Sequence, residues 1–183
     1  MITRDQMLAI MPYAANRIDT FIPHLIASMD EFEINTQGRR AAFLAQLGHE
    51  SGQFRYMEEI ADGSAYDGRV DLGNTRPEAI RIAHRNGTTP GRFWKGHGPI
   101  QITGYHNHLA MMMALGIDCL ENPRLLCEPQ HGCRSAAQFW HSHGLNALAD
   151  TGNFLRITKI INGGYNHYKQ RLALYDKARE VLA

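Results

Sequence analysis

At 183 residues with 44% hydrophobic content, the chain can bury a core of its own as one domain, or as one domain with two lobes. Its formal charge of +1 excludes the strongly basic balance of a general nucleic-acid binder, and no apolar stretch has the length of a membrane-spanning helix. Cys119, Cys127 and Cys133 are odd in number and lack metal-ligand spacing, so they read as free thiols of a reducing compartment.

The segment Met1 to Gln6 has no basic run followed by an apolar one, so no export signal is expected. Thr3 with Gln6 forms a capping-box pattern that opens a helix through Met11. A second helix is expected from Ala15 to Met29, kinked or broken at Pro23. Arg39 to His49 puts Phe43, Leu44 and Leu47 on one face of a third helix, with Glu50 at its end and Ser51-Gly52 as the stop. Asp62 to Asn74 reads as loop. Pro77 opens a short helix ending at Asn86-Gly87, and Thr88 to Gly98 is loop again. Ile100 to Thr103 alternates like a short strand, and Tyr105 to Leu115 is helical with Gly116 as its cap. Further helices are expected over Pro129–His143, Asn153–Ile161 and Tyr168–Leu182. The fold read from this pattern is mainly α, with a small β or irregular element beside a cleft.

Glu50 ends an apolar helix and Glu59 follows in the loop beyond it, the minimum equipment for cutting a glycosidic bond. One carboxyl protonates the leaving oxygen while the other activates water. The acid must hold its proton near neutral pH, which the apolar run before Glu50 favours. Gln101, Thr103 and Asn107 could line one edge of a groove or cap the turns around Gly98 and Gly104. Phe93 and Trp94 could stack on a sugar face or fill a core. His49-Glu50 begins like a zinc-protease motif, but Gln53 stands where the second histidine is needed. His106 and His108, like His141 and His143, are two residues apart on expected helices and point to different faces. From Thr151 onward, Arg156, Lys159, Lys169, Arg171, Lys177 and Arg179 outnumber Asp176 and Glu180. This basic flank suits an anionic polymer or surface, or is a solvated helical face.

The order of these motifs resembles a known family. His49-Glu50-Ser51-Gly52, Glu59 and Ser64-Ala65 are followed by Leu72-Gly73-Asn74-Thr75 and by Gly96 to Gly104 with Asn107. Leu145 to Asp150, Ile160 to Gly164, and Arg171 with Tyr175 close the series. The succession resembles glycoside hydrolase family 19, and its phage and prophage endolysin branch more than the plant chitinases. The chain is short and lacks the cysteines of a disulfide-bonded secreted enzyme.

The resemblance implies a lysozyme-like, two-lobed α-helical fold in which helices over 1–35 pack on a core over 36–183, as a single catalytic domain. It implies inverting hydrolysis of β-1,4 links, in peptidoglycan glycan strands or alternatively in chitin. Glu50 would be the general acid and Glu59 the base, with Glu58 a solvated neighbour and rival. Thr103 would help hold the attacking water. Gln101, Asn107 and Asn162 would bind sugar hydroxyls and N-acetyl groups, and Arg171 would sit near the carboxylates. His97 departs from a common family arginine and exchanges a permanent charge for a titratable one, while His106 replaces a frequent aromatic. No metal, cofactor or nucleic acid is called for. The resulting expectation is a monomeric muramidase-type endolysin, made in a bacterial host cytoplasm and released to the wall through a holin-type pore. Its basic C-terminal region would touch the wall or membrane surface. A zinc amidase or a non-catalytic wall-binding protein is the competing reading.

Overall fold

The structure is a computed structural model that describes residues 2–183; Met1, which opens the segment read for an export signal, lies outside them. Helix α1 spans Arg4–Ile10 and carries the expected capping box. The Thr3 hydroxyl accepts from the Gln6 N–H at 3.2 Å, and the Gln6 side chain accepts from the Thr3 N–H at 3.0 Å. Helix α2 spans Ile18–Glu31 and starts later than expected because Pro12–Ala14 first makes a 3-10 turn. Pro23 does not break it. The ring lies on the exposed side, where water can serve the carbonyl it leaves without a donor.

Helix α3, Gln37–Glu50, is the centre of the molecule. Thr36 caps it by accepting from the Arg39 N–H at 3.2 Å. Every residue from Ala41 to Gly48 is buried, so the helix is covered all round rather than on the single face read from its pattern. Helix α4 spans Pro77–Arg85 and α5 Pro90–Phe93, a helical turn inside the segment expected to be loop. Pro90 explains it, since its fixed φ suits a first helical turn. Helix α6, Tyr105–Leu115, ends at Gly116 in the left-handed conformation (φ 66°), as expected. Helices α7 (Pro129–Ser142), α9 (Phe154–Asn162) and α10 (Tyr168–Val181) follow the sequence reading to within a residue. Helix α8, Leu145–Asp150, lies between them and was not foreseen. Asn146 locks it in place, accepting from Trp140 Nε1 at 2.9 Å and donating to the Phe32 carbonyl at 3.1 Å.

Two apolar clusters of unequal size result. The larger joins α1, α2 and α3 to α7 through α10, so the N-terminal helices share the main core. Helix α10 packs along α3, and α2 packs along α7. Phe43 meets Trp140 edge-on at 5.3 Å. Burying a side chain of this kind contributes about 1.5–3 kcal/mol. The smaller cluster gathers Ala79, Ile82 and Ala83 of α4 around Trp94, Tyr105 and Leu120. Trp94 is fully buried and its Nε1 donates to the Leu120 carbonyl at 3.0 Å, so it is core and not a sugar platform.

The strand expected at Ile100–Thr103 is absent. Among the described residues, β pairing is limited to isolated bridges of His97 with Glu58 and with Ile102. Gln101 takes a left-handed φ of 57°, so the alternating pattern belongs to a tight turn. Gly52, Gln53 and Phe54, directly after α3, are three successive left-handed residues with φ of 56°, 62° and 62°. Such a run is costly for non-glycine residues. It is held by Ser51 Oγ, which accepts from the Phe54 N–H at 2.8 Å, and by the buried Phe54 ring stacked on Phe21 at 4.6 Å.

Candidate active site

Glu50 is the last residue of α3, and its carboxyl touches the guanidinium of Arg171 from α10 at 2.5 Å. The Arg171 side chain is 2% exposed and that of Glu50 17% exposed. Arg171 Nη1 also donates to Gln46 Oε1 at 2.6 Å, Nε donates to the Asn166 carbonyl at 3.2 Å, and Gln46 in turn donates to Thr158 at 2.9 Å. The N–H geometry favours Gln46, so Glu50 Oε1 has a charge contact with Arg171 but no aligned donor. His49 packs near His167, ring centres 5.7 Å apart. Burial, then the charges of Arg171 and His167, push its imidazole down to about 4, so it is neutral beside this pair.

Glu59 is held differently. Its Oε1 accepts from the Tyr66 hydroxyl at 2.9 Å and its Oε2 from the Gly96 N–H at 2.9 Å. Both oxygens accept, the pattern of an ionised carboxylate. Burial and the bond to Glu59 push the Tyr66 phenol above its ordinary value, so it remains a donor. Lys95 Nζ donates to the Glu59 carbonyl at 3.0 Å. A Cβ at position 96 would lie 2.5 Å from Gln101 Oε1 and 3.3 Å from Glu59 Cβ, so a side chain there would push the Gln101 amide aside. That close approach also sets Gln101 beside Glu59. Asn74, fully buried, donates to the Tyr66 carbonyl and accepts from the Tyr105 N–H, both at 2.9 Å, and so fastens the Tyr66 loop to the start of α6.

Glu58 is not the solvated neighbour expected from the sequence. It is half-buried, with Lys95 and Arg124 each 3.0 Å from a carboxylate oxygen. Burial pushes its carboxyl up, but the bonds from Lys95 and Arg124 outweigh it, and Glu58 titrates below its ordinary value. Its side chain is committed to this ion pair, which leaves Glu59 as the carboxyl facing Tyr66 and Gly96.

From Gln101 a depression of about 390 Å³ runs between the turn at 100–103, one face of α6, the end of α7, and Ile160 and Ile161 of α9. Gln101, Thr103 and Asn107 line it. Each also braces the turn: Gln101 Nε2 donates to the Gly98 carbonyl at 2.9 Å, Thr103 Oγ1 to the Gln101 carbonyl at 3.0 Å, and Asn107 Nδ2 to the Thr103 carbonyl at 2.7 Å. Capping and lining are therefore both present in the same residues. Asn162 closes α9 and accepts from the Asn166 N–H at 3.1 Å, shaping the loop that leads to Arg171. Arg171 thus pairs with Glu50, and no ion pair among the described residues joins it to Glu59.

His97 is buried against His108, with Nδ1 3.2 Å from His108 Nε2. His108 Nδ1 lies 2.9 Å from the Gly104 carbonyl, which can only accept. His108 therefore carries its proton on Nδ1, and His97 donates from its own Nδ1. Burial pushes His97 down to about 4 and His108 to about 3. The titratable charge expected at His97 is thus a neutral pair at neutral pH. His106 lies 3.2 Å from Arg76, and no group of three or more potential metal ligands gathers among the described residues.

The chain matches no protein-family profile. It is 37% identical over 143 residues to an endochitinase from Arabidopsis thaliana, covering 78% of this chain and 45% of that protein. A second Arabidopsis endochitinase is 35% identical over 125 residues, so the chain spans less than half of either plant relative, 39% in this case. A glycosyl hydrolase family 19 domain-containing protein from Haemophilus influenzae is 27% identical, with 96% of this chain and 94% of that protein covered. The chain is thus similar in sequence to a family 19 glycoside hydrolase domain protein and to plant endochitinases. The fold agrees: a bacterial family 19 chitinase superposes with a TM-score of 0.78 at 21% identity, covering all of this chain and 95% of that one. Chitinase C from Streptomyces griseus gives 0.74 at 22% identity, over 99% and 76%.

Several site residues carried no signal of their own in the sequence. Tyr66 directly follows Ser64-Ala65, yet its bond to Glu59 exists only once the loop folds back. Gln46 sits one turn before Glu50, and a polar residue in an otherwise apolar helix was the available clue.

Proposed function

We propose that the protein is an inverting glycoside hydrolase that cuts β-1,4 bonds of peptidoglycan glycan strands, as a muramidase-type endolysin. The observation that carries the reading is the pair of differently held carboxyls: Glu50 against a buried arginine, and Glu59 with both oxygens accepting. Arg171 occupies the Oε1 side of Glu50, which leaves Oε2 as the oxygen to deliver a proton to the leaving oxygen. Glu59 removes a proton from a water, whose oxygen attacks the anomeric carbon from the opposite face as the glycosidic bond breaks. Gln101 beside Glu59, with Thr103 and Asn107 along the depression, presents amide and hydroxyl groups to that water and to sugar substituents.

The three cysteines are all free, which supports synthesis in a reducing cytoplasm and release to the wall by a holin-type pore. The Cys133 thiol, pushed up to about 12 by burial, is inert packing. Chitin is the second reading, favoured by the names of the plant relatives. The deciding experiment digests purified peptidoglycan and a chitin oligomer in parallel, with borohydride reduction and mass spectrometry of products, beside Glu50→Gln. Reduced N-acetylmuramic acid ends that vanish in the variant are expected. Cleavage of the chitin oligomer alone moves the substrate to chitin, and lysis by the variant overturns the two-carboxyl mechanism.

A further inference from the structure

From Thr151 through Tyr175 the chain contains no Asp or Glu, yet Arg156, Lys159, Lys169 and Arg171 all fall there. Arg171 is buried and engaged by Glu50. The other three are exposed, and none of the ion pairs among the described residues includes them. Elsewhere on the surface arginines are mostly neutralised: Arg4, Arg39, Arg69, Arg81, Arg85, Arg92, Arg124 and Arg134 each face a carboxylate. Two of the three, Arg156 and Lys159, stand on α9, the helix whose Ile160 and Ile161 line the groove. Helical spacing sets Arg156 one turn before Ile160 and Lys159 one turn before Asn162. Ile160 forms part of the groove wall, and Asn162 starts the loop to the Glu50 partner. Tyr165 in that loop is 51% exposed and lies under the Lys159 ammonium at 5.8 Å.

We propose that this edge of α9, with the loop after it, binds the carboxylates of peptide stems carried on the glycan, and so selects an anionic, peptide-bearing strand over neutral chitin. The inference rests on the glycoside hydrolase reading and supplies its substrate class. Neutral chitin offers no partner for unpaired cations, whereas each peptide stem brings a carboxylate to one side of the strand. Exposed cations act here through a summed, salt-screened field rather than through fixed pairs. Tyr165 gives the edge a flat apolar face beside the charges.

The test is sedimentation with sacculi that carry no attached phosphate polymer, using the protein with Glu50→Gln so that the wall stays intact. The double change Arg156→Glu with Lys159→Glu is expected to weaken sedimentation about tenfold at low salt, with the difference vanishing at high salt. Binding to chitin should stay within about twofold, because the groove is untouched. Arg156→Gln with Lys159→Gln should fall between, which guards against a misfolded double reversal. Unchanged sedimentation of the reversal variant overturns the proposal. So does an equal loss on chitin, or full binding by sacculi whose stems an amidase has removed. Sedimentation with phosphatidylglycerol vesicles but not with sacculi overturns it in favour of a membrane surface. Failure of the hydrolase reading shows elsewhere, as an absence of new reducing ends from either polymer with the unmodified protein.

Discussion

The two carboxyls are held by opposite means. Glu50 ends a helix of the larger apolar cluster, buried on all sides, and a chain of side chains, Arg171 to Gln46 to Thr158, sets its position. Glu59 lies in an irregular segment pinned through the Gly96 N–H and one phenol, with Asn74 fastening the loop behind. The acid side is written in side chains and the base side largely in backbone. Substitutions on the acid side should therefore travel further than those on the base side.

The largest effect should come from Glu50→Gln, which keeps shape and removes the proton. Release of reducing ends is expected to fall on the order of 10²–10⁴-fold with the melting temperature nearly unchanged. A variant that retains a tenth of the activity would break the assignment. Next is Arg171→Met. It leaves Gln46 and Glu50 without their buried cation, and chemical denaturation should show a loss of about 3 kcal/mol together with a fall in activity. A stability change below about 0.5 kcal/mol would mean that the packing of α3 on α10 is not organised around this residue.

Acid should act next, on both sides. His49 beside Glu50 is held at about 4, and His97 and His108 at about 4 and about 3, whereas an unfolded histidine titrates near 6.5. Below 6.5 the unfolded chain binds protons that these folded histidines refuse, so stability is retained above that pH and lost as pH falls toward 4. Glu58, held below its ordinary value, adds a loss of the same sign at lower pH. The expected drop between pH 7 and pH 5 is about 2 kcal/mol for each of His97 and His108, about 4 kcal/mol for the two, read from denaturation at each pH, and His108→Gln should flatten the profile in part. A profile that stays flat in the unmodified protein would sink this account. The smallest effect is Tyr66→Phe, which removes one donor to Glu59 and leaves Gly96 in place. About 1 kcal/mol of stability and roughly a tenfold loss of rate are expected. A loss as large as that of Arg171→Met would erase the contrast between the two sides.

The sequence carried most of the helices because their signals are local. Thr3 with Gln6, Pro77 and Gly116 each act through the backbone of their own turn, and each marks an observed boundary. Ile100 to Thr103 misled because alternation also arises when one residue of a turn, here Gln101, takes a positive φ. Pro23 misled because its cost depends on which face meets water, which a sequence does not state. Of the residues assigned from family resemblance, Gln101, Thr103 and Asn107 line the groove, while Glu50, Glu59, Asn162 and Arg171 stand outside its lining. The depth of Arg171, the ion pair around Glu58 and the neutrality of His97 follow from tertiary packing, and no spacing along the chain announces them.

The left-handed turn after α3 has a mechanical meaning. Between Glu50 and Glu59 the chain has almost no slack. Ser51 is bonded to Leu47, Gly52 to Phe54 form the turn, and Arg55 Nε and the Tyr56 N–H are tied back to the Gly52 and Ser51 carbonyls. The Met57 carbonyl and Glu58 are then fixed to Gly98 and His97. The segment works as a ruler of set length. One residue inserted at Arg55 would add up to about 3.5 Å of reach. That is comparable with the whole tolerance of about 6.5–9.5 Å between the carboxyls of an inverting enzyme. The strap, bonded at each of these points, has no slack to give.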